Sequence, residues 1–186
     1  MYETISLVNY NLLPCTGCGQ CFHSKQCCQD DDFNHLHKLM NTADGLIVVS
    51  AHYAPIPSKL AILLEKAEQI AFLGRFHGDL CRSSLFGKPA AIIGHGGGTE
   101  EIMNGYKTVV LKAIANALMY PIDMDIIRIG DDRDPGVVFP VAKVSKDPDS
   151  PFPVQEYDWP DIQRRITPIV QALAGRMLNQ DGSQLA

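Results

Sequence analysis

Five cysteines crowd into one short segment, in the spacing Cys15-x2-Cys18-x2-Cys21-x5-Cys27 with Cys28 adjacent. Thiolates are soft ligands, and four on one loop can converge on a single metal centre; compact runs of this kind suit iron–sulfur ligation. They also suit a structural zinc ion, and a redox disulfide or an unoccupied remnant is a further alternative. The candidate ligand set is Cys15, Cys18, Cys21 and Cys27, although the spacing does not choose between Cys27 and Cys28. Cys81 stands apart and reads as a small buried hydrophobe. Asp30, Asp31 and Asp32 read as charge at the start of a helix rather than as metal ligands.

A second group of residues sits where two apolar runs end, in Ser50-Ala51-His52-Tyr53 and in Gly94-His95-Gly96-Gly97-Gly98. Open parallel sheets bind ligands beyond the carboxyl ends of their strands. Side by side, the two turns would form a polar crevice in which glycine lets backbone N–H groups approach a flat or anionic ligand. Ser50, His52, Tyr53, His95, Gly96 and Gly97 are therefore the candidate lining, with Tyr53 able to stack on an aromatic ring. Of the other histidines, His23 reads as surface, and His35 and His37 are two apart on a helix and point in different directions. No Ser-His-Asp or paired-carboxylate arrangement is evident, so no catalytic acid or base is assigned.

These residues need elements to position them. Apolar runs alternate with helical patterns, the mark of an α/β fold with a largely parallel sheet. Residues 3–8 read as a strand, and residues 9–32 as a cysteine-rich loop longer than the roughly 12–15 residues of ordinary connections. Phe33, Leu36, Leu39 and Met40 set a helix over residues 33–42, with Asp32 as its cap. Residues 44–50 (Asp-Gly-Leu-Ile-Val-Val-Ser) read as a strand buried on both faces. A helix from Ser58 carries Leu60, Leu63, Leu64, Ala67, Ile70 and Ala71 inward.

Residues 89–94 form the next buried strand. A long helix capped by Thr99 follows, with Val109, Val110, Ala113, Ile114 and Ala117 inward. Residues 124–129 are another strand, and 130–159 an irregular segment with an edge strand over 137–144. The last helix spans 160–178, and 179–186 is a frayed tail. The whole, residues 1–186, reads as one domain.

Composition narrows the function. The chain has 186 residues, enough for a core without disulfide staples. A net charge of −5 leaves no footprint for nucleic acid, and no run of lysines or arginines suggests a membrane surface. No apolar stretch is long enough to span a bilayer and no signal region opens the chain, so the expected compartment is the cytoplasm. In that reducing setting six cysteines read better as ligands or redox groups than as disulfides.

Taken together, several motifs in order resemble the iron–sulfur flavoproteins within the flavodoxin-like, NAD(P)H-dependent FMN reductase superfamily. They are Pro14-Cys15-x-Gly17-Cys18-x2-Cys21-Phe22, Cys27, Asp31-Asp32-Phe33, Ala43-Asp44-Gly45-Leu46-Ile47, Ser50-x2-Tyr53 and Gly94–Gly98. The resemblance covers roughly residues 3–130. It implies a flavodoxin-like three-layer fold, a parallel sheet with helices on both faces, which binds FMN. It further implies a 4Fe-4S cluster on the cysteine loop, electron transfer between cluster and flavin, and a dimer or tetramer served by a redox partner protein or by NAD(P)H.

The chain departs from the pattern in three places. It begins at what would be the second strand, so the fold is expected to be N-terminally truncated, without the first strand and its phosphate-binding turn. Ala51 stands where relatives usually have proline, and Glu65-Lys66 where they often have Asp-Arg. Two rival expectations follow: a cluster-free NAD(P)H-dependent FMN reductase, or a metal-stabilised partner-binding subunit without flavin.

Overall fold

Strands of a parallel sheet are covered on both faces, and their near-continuous apolar sequences show it. Pro89–His95, here β2, is the centre of this sheet, and its first six residues are buried. A computed structural model of the chain describes residues 2–51, 56–76, 83–120, 122–130 and 133–183. Within it, β1 (Leu46–Ala51) runs parallel to β2 from Leu46↔Ala90 to Ala51↔His95. Two short parallel partners share the other edge of β2. Asp125–Ile126 (β3) pairs with its start, and Val137–Val138 (β4) pairs with its end.

Helices pack on both faces. On one lie α2 (Phe33–Thr42), α3 (Ser58–Phe76), α4 (Glu100–Tyr106) and α5 (Lys112–Met119), following a four-residue helix, α1 (Cys21–Ser24). Their core joins Phe33, Leu36, Leu63, Leu64, Ala67, Ile114 and Leu118 to Ala90 and Ile92 of β2. The opposite face is covered by α6 (Trp159–Ser183), whose Ile169 and Leu173 meet Ala91, Ile93, Ile127 and Val137. An antiparallel hairpin of β5 (Lys143–Ser145) and β6 (Val154–Glu156) stands outside the main sheet. This is the α/β, flavodoxin-like arrangement of parallel strands and flanking helices.

Several sequence expectations change. Residues 3–8 form no strand: they run irregularly into a 3-10 turn at Leu7–Asn9, and among the described residues no sheet edge pairs with them. Ile5 and Leu7 still pack on the core, and Lys59 Nζ ties the segment down through the carbonyls of Val8 (2.9 Å) and Tyr10 (2.7 Å). Correspondingly, β1 is at the edge of the described sheet rather than inside it, with Ile47 46% and Val49 60% exposed.

The long helix after the glycine turn is not continuous. A π turn at Lys107–Leu111 inserts one residue, with the Lys112 N–H bonded to the Lys107 carbonyl. That rotates the buried face onto Val110, Leu111, Ile114, Ala115 and Leu118 and leaves Val109 52% exposed. Thr99 occupies the cap position without a side-chain bond. Residues 137–144 are not one strand: Val137–Val138 lie at an edge of the main sheet as β4, paired with the end of β2, while Lys143–Ser145 belong to the hairpin as β5.

The close approach at β2 gives a clean test. A Cβ on Gly136 would lie 2.3 Å from the Ile92 carbonyl oxygen, whereas one on Gly105 in α4 meets nothing within 4 Å. Gly136→Ala is expected to destabilise the fold by about 1–3 kcal/mol through overpacking. Gly105→Ala should stabilise it by about 0.5–1 kcal/mol, because alanine loses less backbone freedom in a helix. Urea unfolding of the two variants checks both signs.

Candidate metal loop and ligand crevice

The loop that carries the cysteines is tied at its neck by carboxylates. Asp32 Oδ2 accepts the Asn11 N–H at 2.6 Å, and the Asp32 N–H returns a bond of 2.9 Å to the Asn11 carbonyl. Asp31 Oδ2 accepts the Leu13 N–H (2.8 Å), and its Oδ1 accepts the Phe33 N–H at the start of α2 (3.1 Å). The helix entrance is thus bonded by Asp31, while Asp32, at the cap position, makes no capping bond. The other partner of Asp31 is Lys66 of α3, and both side chains are buried, 0% and 2% exposed. Burial alone would push the Asp31 carboxyl up, but hydrogen bonds from Lys66, Leu13 and Phe33 outweigh it and hold its pKa below the ordinary aspartate value.

Beyond the neck, turns fold the loop back on itself. Gly17 and Gly19 take positive φ of 65° and 71°, conformations open to glycine, and Lys25 closes α1 at φ 55°. Asn34 grips Cys27 on both sides, accepting its N–H (2.9 Å) and donating to its carbonyl (2.7 Å). Glu65 of α3 accepts the Cys15 N–H at 3.4 Å.

The outcome is one cavity of about 80 Å³ onto which Cys15, Cys18, Cys21, Cys27 and Cys28 all open, with Phe22 and Gln69 on its walls. Cys18 and Cys28 lie closest, Sγ to Sγ 3.5 Å, while Cys27 Sγ is directed to Gln29 Oε1 at 3.7 Å. The Gln20 backbone amide and the Cys28 thiol lower the Cys18 pKa, whereas donating to Cys18 raises that of Cys28. Burial raises Cys21.

Among the described residues, no group of three or more His, Cys, Asp or Glu is arranged to hold a metal ion. The donor chemistry nonetheless fits a soft metal or cluster, since five thiols and no carboxylate line the cavity. The sequence reading singled out Lys66 only as half of the pair standing where relatives often have Asp-Arg, without a role at the loop, and it missed Gln69, one turn on along α3.

At the carboxyl ends of β1 and β2, Ser50 is 1% exposed, and its Oγ has no hydrogen-bond partner among the described residues. It lies opposite Gly94 in the strand register. An orphaned buried hydroxyl beside glycine backbone fits a polar ligand such as a flavin. His52 and Tyr53, the other candidates of that turn, lie outside the described residues, as does Cys81.

His95 is engaged within the protein. Its ring stacks on Phe139 (centroids 4.4 Å apart), its Nδ1 lies 3.2 Å from the Phe139 carbonyl, and its Nε2 lies 3.0 Å from the Tyr157 hydroxyl. Tyr157 in turn donates to Gln155 Oε1 at 2.7 Å. Glycine at 96 and 97 leaves room for Tyr106 and Gln155: a Cβ would fall 2.2 Å from the Tyr106 ring and 2.3 Å from Gln155 Nε2. Ser50, His95, Gly96 and Gly97 therefore share the strand ends, where Gln155 of the β5–β6 hairpin and Tyr157 beyond it wall in His95 and Gly97. Sequence reasoning did not find that wall, because Gln155 and Tyr157 are about 60 residues beyond the turns they touch.

Elsewhere, His23 and His35 are exposed. His37 is packed on Phe33 (5.3 Å) with its pKa lowered by burial. No helix among the described residues is long and apolar enough to cross a membrane.

Comparison with known proteins gives a consistent picture. The family model described as NADPH-dependent FMN reductase matches residues 2–104. An iron–sulfur flavoprotein of Methanosarcina thermophila is 32% identical over 66 residues, 35% of each chain. One from Archaeoglobus fulgidus is 26% identical over 98 residues, 50% of this chain and 44% of the relative. One from Methanocaldococcus jannaschii is 29% identical over 99 residues, 53% and 49%. The chain thus spans half or less of the length of the curated relatives it matches. No solved structure gives a significant match.

The neck carries a pH signature. A carboxyl whose folded pKa is depressed contributes stability that is present above its unfolded value, near ~3.9, and is lost as pH falls through the lower folded value. The urea midpoint of the protein should therefore fall as pH drops below about 4. Asp31→Asn should be less stable at neutral pH and should show a flatter acid limb, read from midpoints across the acid range.

Proposed function

Because the chain belongs to the NADPH-dependent FMN reductase family, matched over residues 2–104, we propose that it is a flavin-dependent oxidoreductase. In this reading its thiol loop carries an iron–sulfur cluster that exchanges electrons with FMN. The observation that supports it is the opening of five thiols onto one cavity, within a fold whose strand ends offer an unpartnered buried hydroxyl. The names of the three relatives, all iron–sulfur flavoproteins, agree with it.

When bound, the flavin supplies the two-electron chemistry and the cluster single-electron transfer. This chain's residues bind and orient. Cys15, Cys18 and Cys21 are three ligands, and Cys27 is the fourth, with Cys28 competing for that role because it lies beside Cys18. Asn34 fixes the Cys27 backbone, and the neck carboxylates hold both ends of the loop. Ser50, His95, Gly96 and Gly97, with His52 and Tyr53, line the flavin crevice. The His95–Tyr157–Gln155 chain keeps the imidazole in one orientation. Electrons come from NAD(P)H or a redox partner protein. Assembly into a homo-oligomer is part of the same proposal, and the open edge of β1 supports it.

A second reading, a cluster-free flavin reductase with a redox dithiol, draws on the 3.5 Å approach of Cys18 and Cys28. Absorption and metal analysis of anaerobically purified protein separate the two. Flavin bands, a broad brown shoulder and about four irons per chain are expected. Yellow protein without iron would favour the cluster-free reading, and metal without flavin would overturn the flavin assignment. Cys18→Ala should abolish metal binding, and metal content unchanged from wild type would remove Cys18 from the ligand set. Cys27→Ala and Cys28→Ala, measured alongside, identify the fourth ligand by which of them loses iron.

A further inference from the structure

A lysine side chain is seldom fully buried, because its ammonium loses its water; when it is, a partner must compensate. Lys66 and Ser50 are the buried polar residues among those described. Lys66 lies on the face of α3 turned to the cysteine loop. Its neighbour Glu65 takes the Cys15 N–H, and Gln69, one turn on, lines the thiol cavity. Its Nζ is bonded to Asp31 Oδ2 and lies 5.4 Å from the centre of the Phe33 ring. Asp31 uses the same oxygen to hold the Leu13 N–H, two residues before Cys15, and its other oxygen to hold Phe33, the first residue of α2. One ammonium thus fixes, through one carboxylate, both strands of the neck against a rigid helix.

We propose that Lys66 is a positioning residue for the metal centre: through Asp31 it preorganises the cysteine loop so that the thiols converge before metal arrives. This rests on the reading of the loop as a metal site. A loop whose ends float must lose that freedom on binding, and preorganisation removes the cost. Among the described residues Lys66 bonds to Asp31 and not to a candidate ligand, so it acts through the neck. A lysine serving only the core would change the unfolding midpoint, yet leave thiol reactivity and metal affinity of the folded protein as they were.

The test uses the full chain, metal-free and reduced, as wild type, Lys66→Met, Lys66→Arg and Asp31→Asn. Cobalt(II) alone is the probe, followed by its thiolate charge-transfer absorption. Maleimide labelling of the loop cysteines, read by mass spectrometry under native conditions, is the metal-independent measurement. Lys66→Met is expected to weaken cobalt binding about 10–100-fold, the usual effect of losing an outer partner of a metal site, and to speed labelling of the loop thiols. Lys66→Arg should restore both. If Lys66→Met does not fold, Asp31→Asn carries the same two expectations.

Cobalt affinity and labelling rates indistinguishable from wild type in a folded variant would overturn the proposal. If wild type takes up neither cobalt nor iron while labelling still responds to Lys66, the metal reading falls and the positioning role stands.

Discussion

One buried ion pair governs the arrangement of the chemistry-bearing part of this molecule. The segment from Asn11 to Asp32 has almost no regular structure: a four-residue helix and a few turns. Its backbone polar groups must nonetheless be satisfied, and its ends must return to one place. Asp31 does both, taking two backbone N–H groups and one ammonium on a single carboxylate. Removing either charged partner would strand the other in a site that excludes water, which is why such pairs are costly to break although they add little when compared with apolar packing. The loop is therefore held by electrostatics at its neck, and beyond the neck Cys18 and Cys28 are exposed.

The second constraint is β2. With its residues buried from Pro89 to Gly94, it accepts β1 along one side and divides the other between β3 and β4. Gly94 and Gly136 make this possible by letting Leu111, Val138 and the Ile92 carbonyl come close. The strand then delivers His95 to its carboxyl end, between Phe139 and Tyr157, with Tyr157 held in turn by Gln155. Loop and crevice consequently sit on different supports: α3 and the neck for the thiols, β2 and the hairpin for the strand ends.

Much of this was legible in the chain. The helix at Phe33–Thr42 follows from Phe33, Leu36 and Met40 at helical spacing, and β1 and β2 from unbroken runs of small and β-branched residues. The inward stripe of α3 was readable from Leu60 to Ala71 for the same reason. What escaped depends on contacts distant in sequence. A strand at residues 3–8 needs an adjacent edge, which local alternation cannot supply. The π turn shifts the buried face by one residue without any change in hydrophobic pattern, so Val109 and Leu111 exchange roles.

At the candidate site, the clustering of cysteines was evident, whereas their geometry was not. Lys66 stood out only as half of a pair that departs from the family pattern; its burial against Asp31 was hidden, because a lysine on a helix normally reads as solvated surface. Asp31 and Asp32 were similarly misallocated, since adjacent carboxylates look alike until their partners are known. Tyr157 reaches His95 across 62 residues and Gln155 lies against Gly97 across about 60, beyond the range of any spacing argument.

The placement of β1 has a practical outcome for handling the protein. Its six residues, Leu46 to Ala51, include no charge, proline or bulge of the kind that ordinarily discourages other chains from joining an uncovered rim. Ile47 and Val49 present branched hydrocarbon beside that rim. Among the described residues nothing pairs with that rim, and a ribbon built this way is a template on which a further strand can lie.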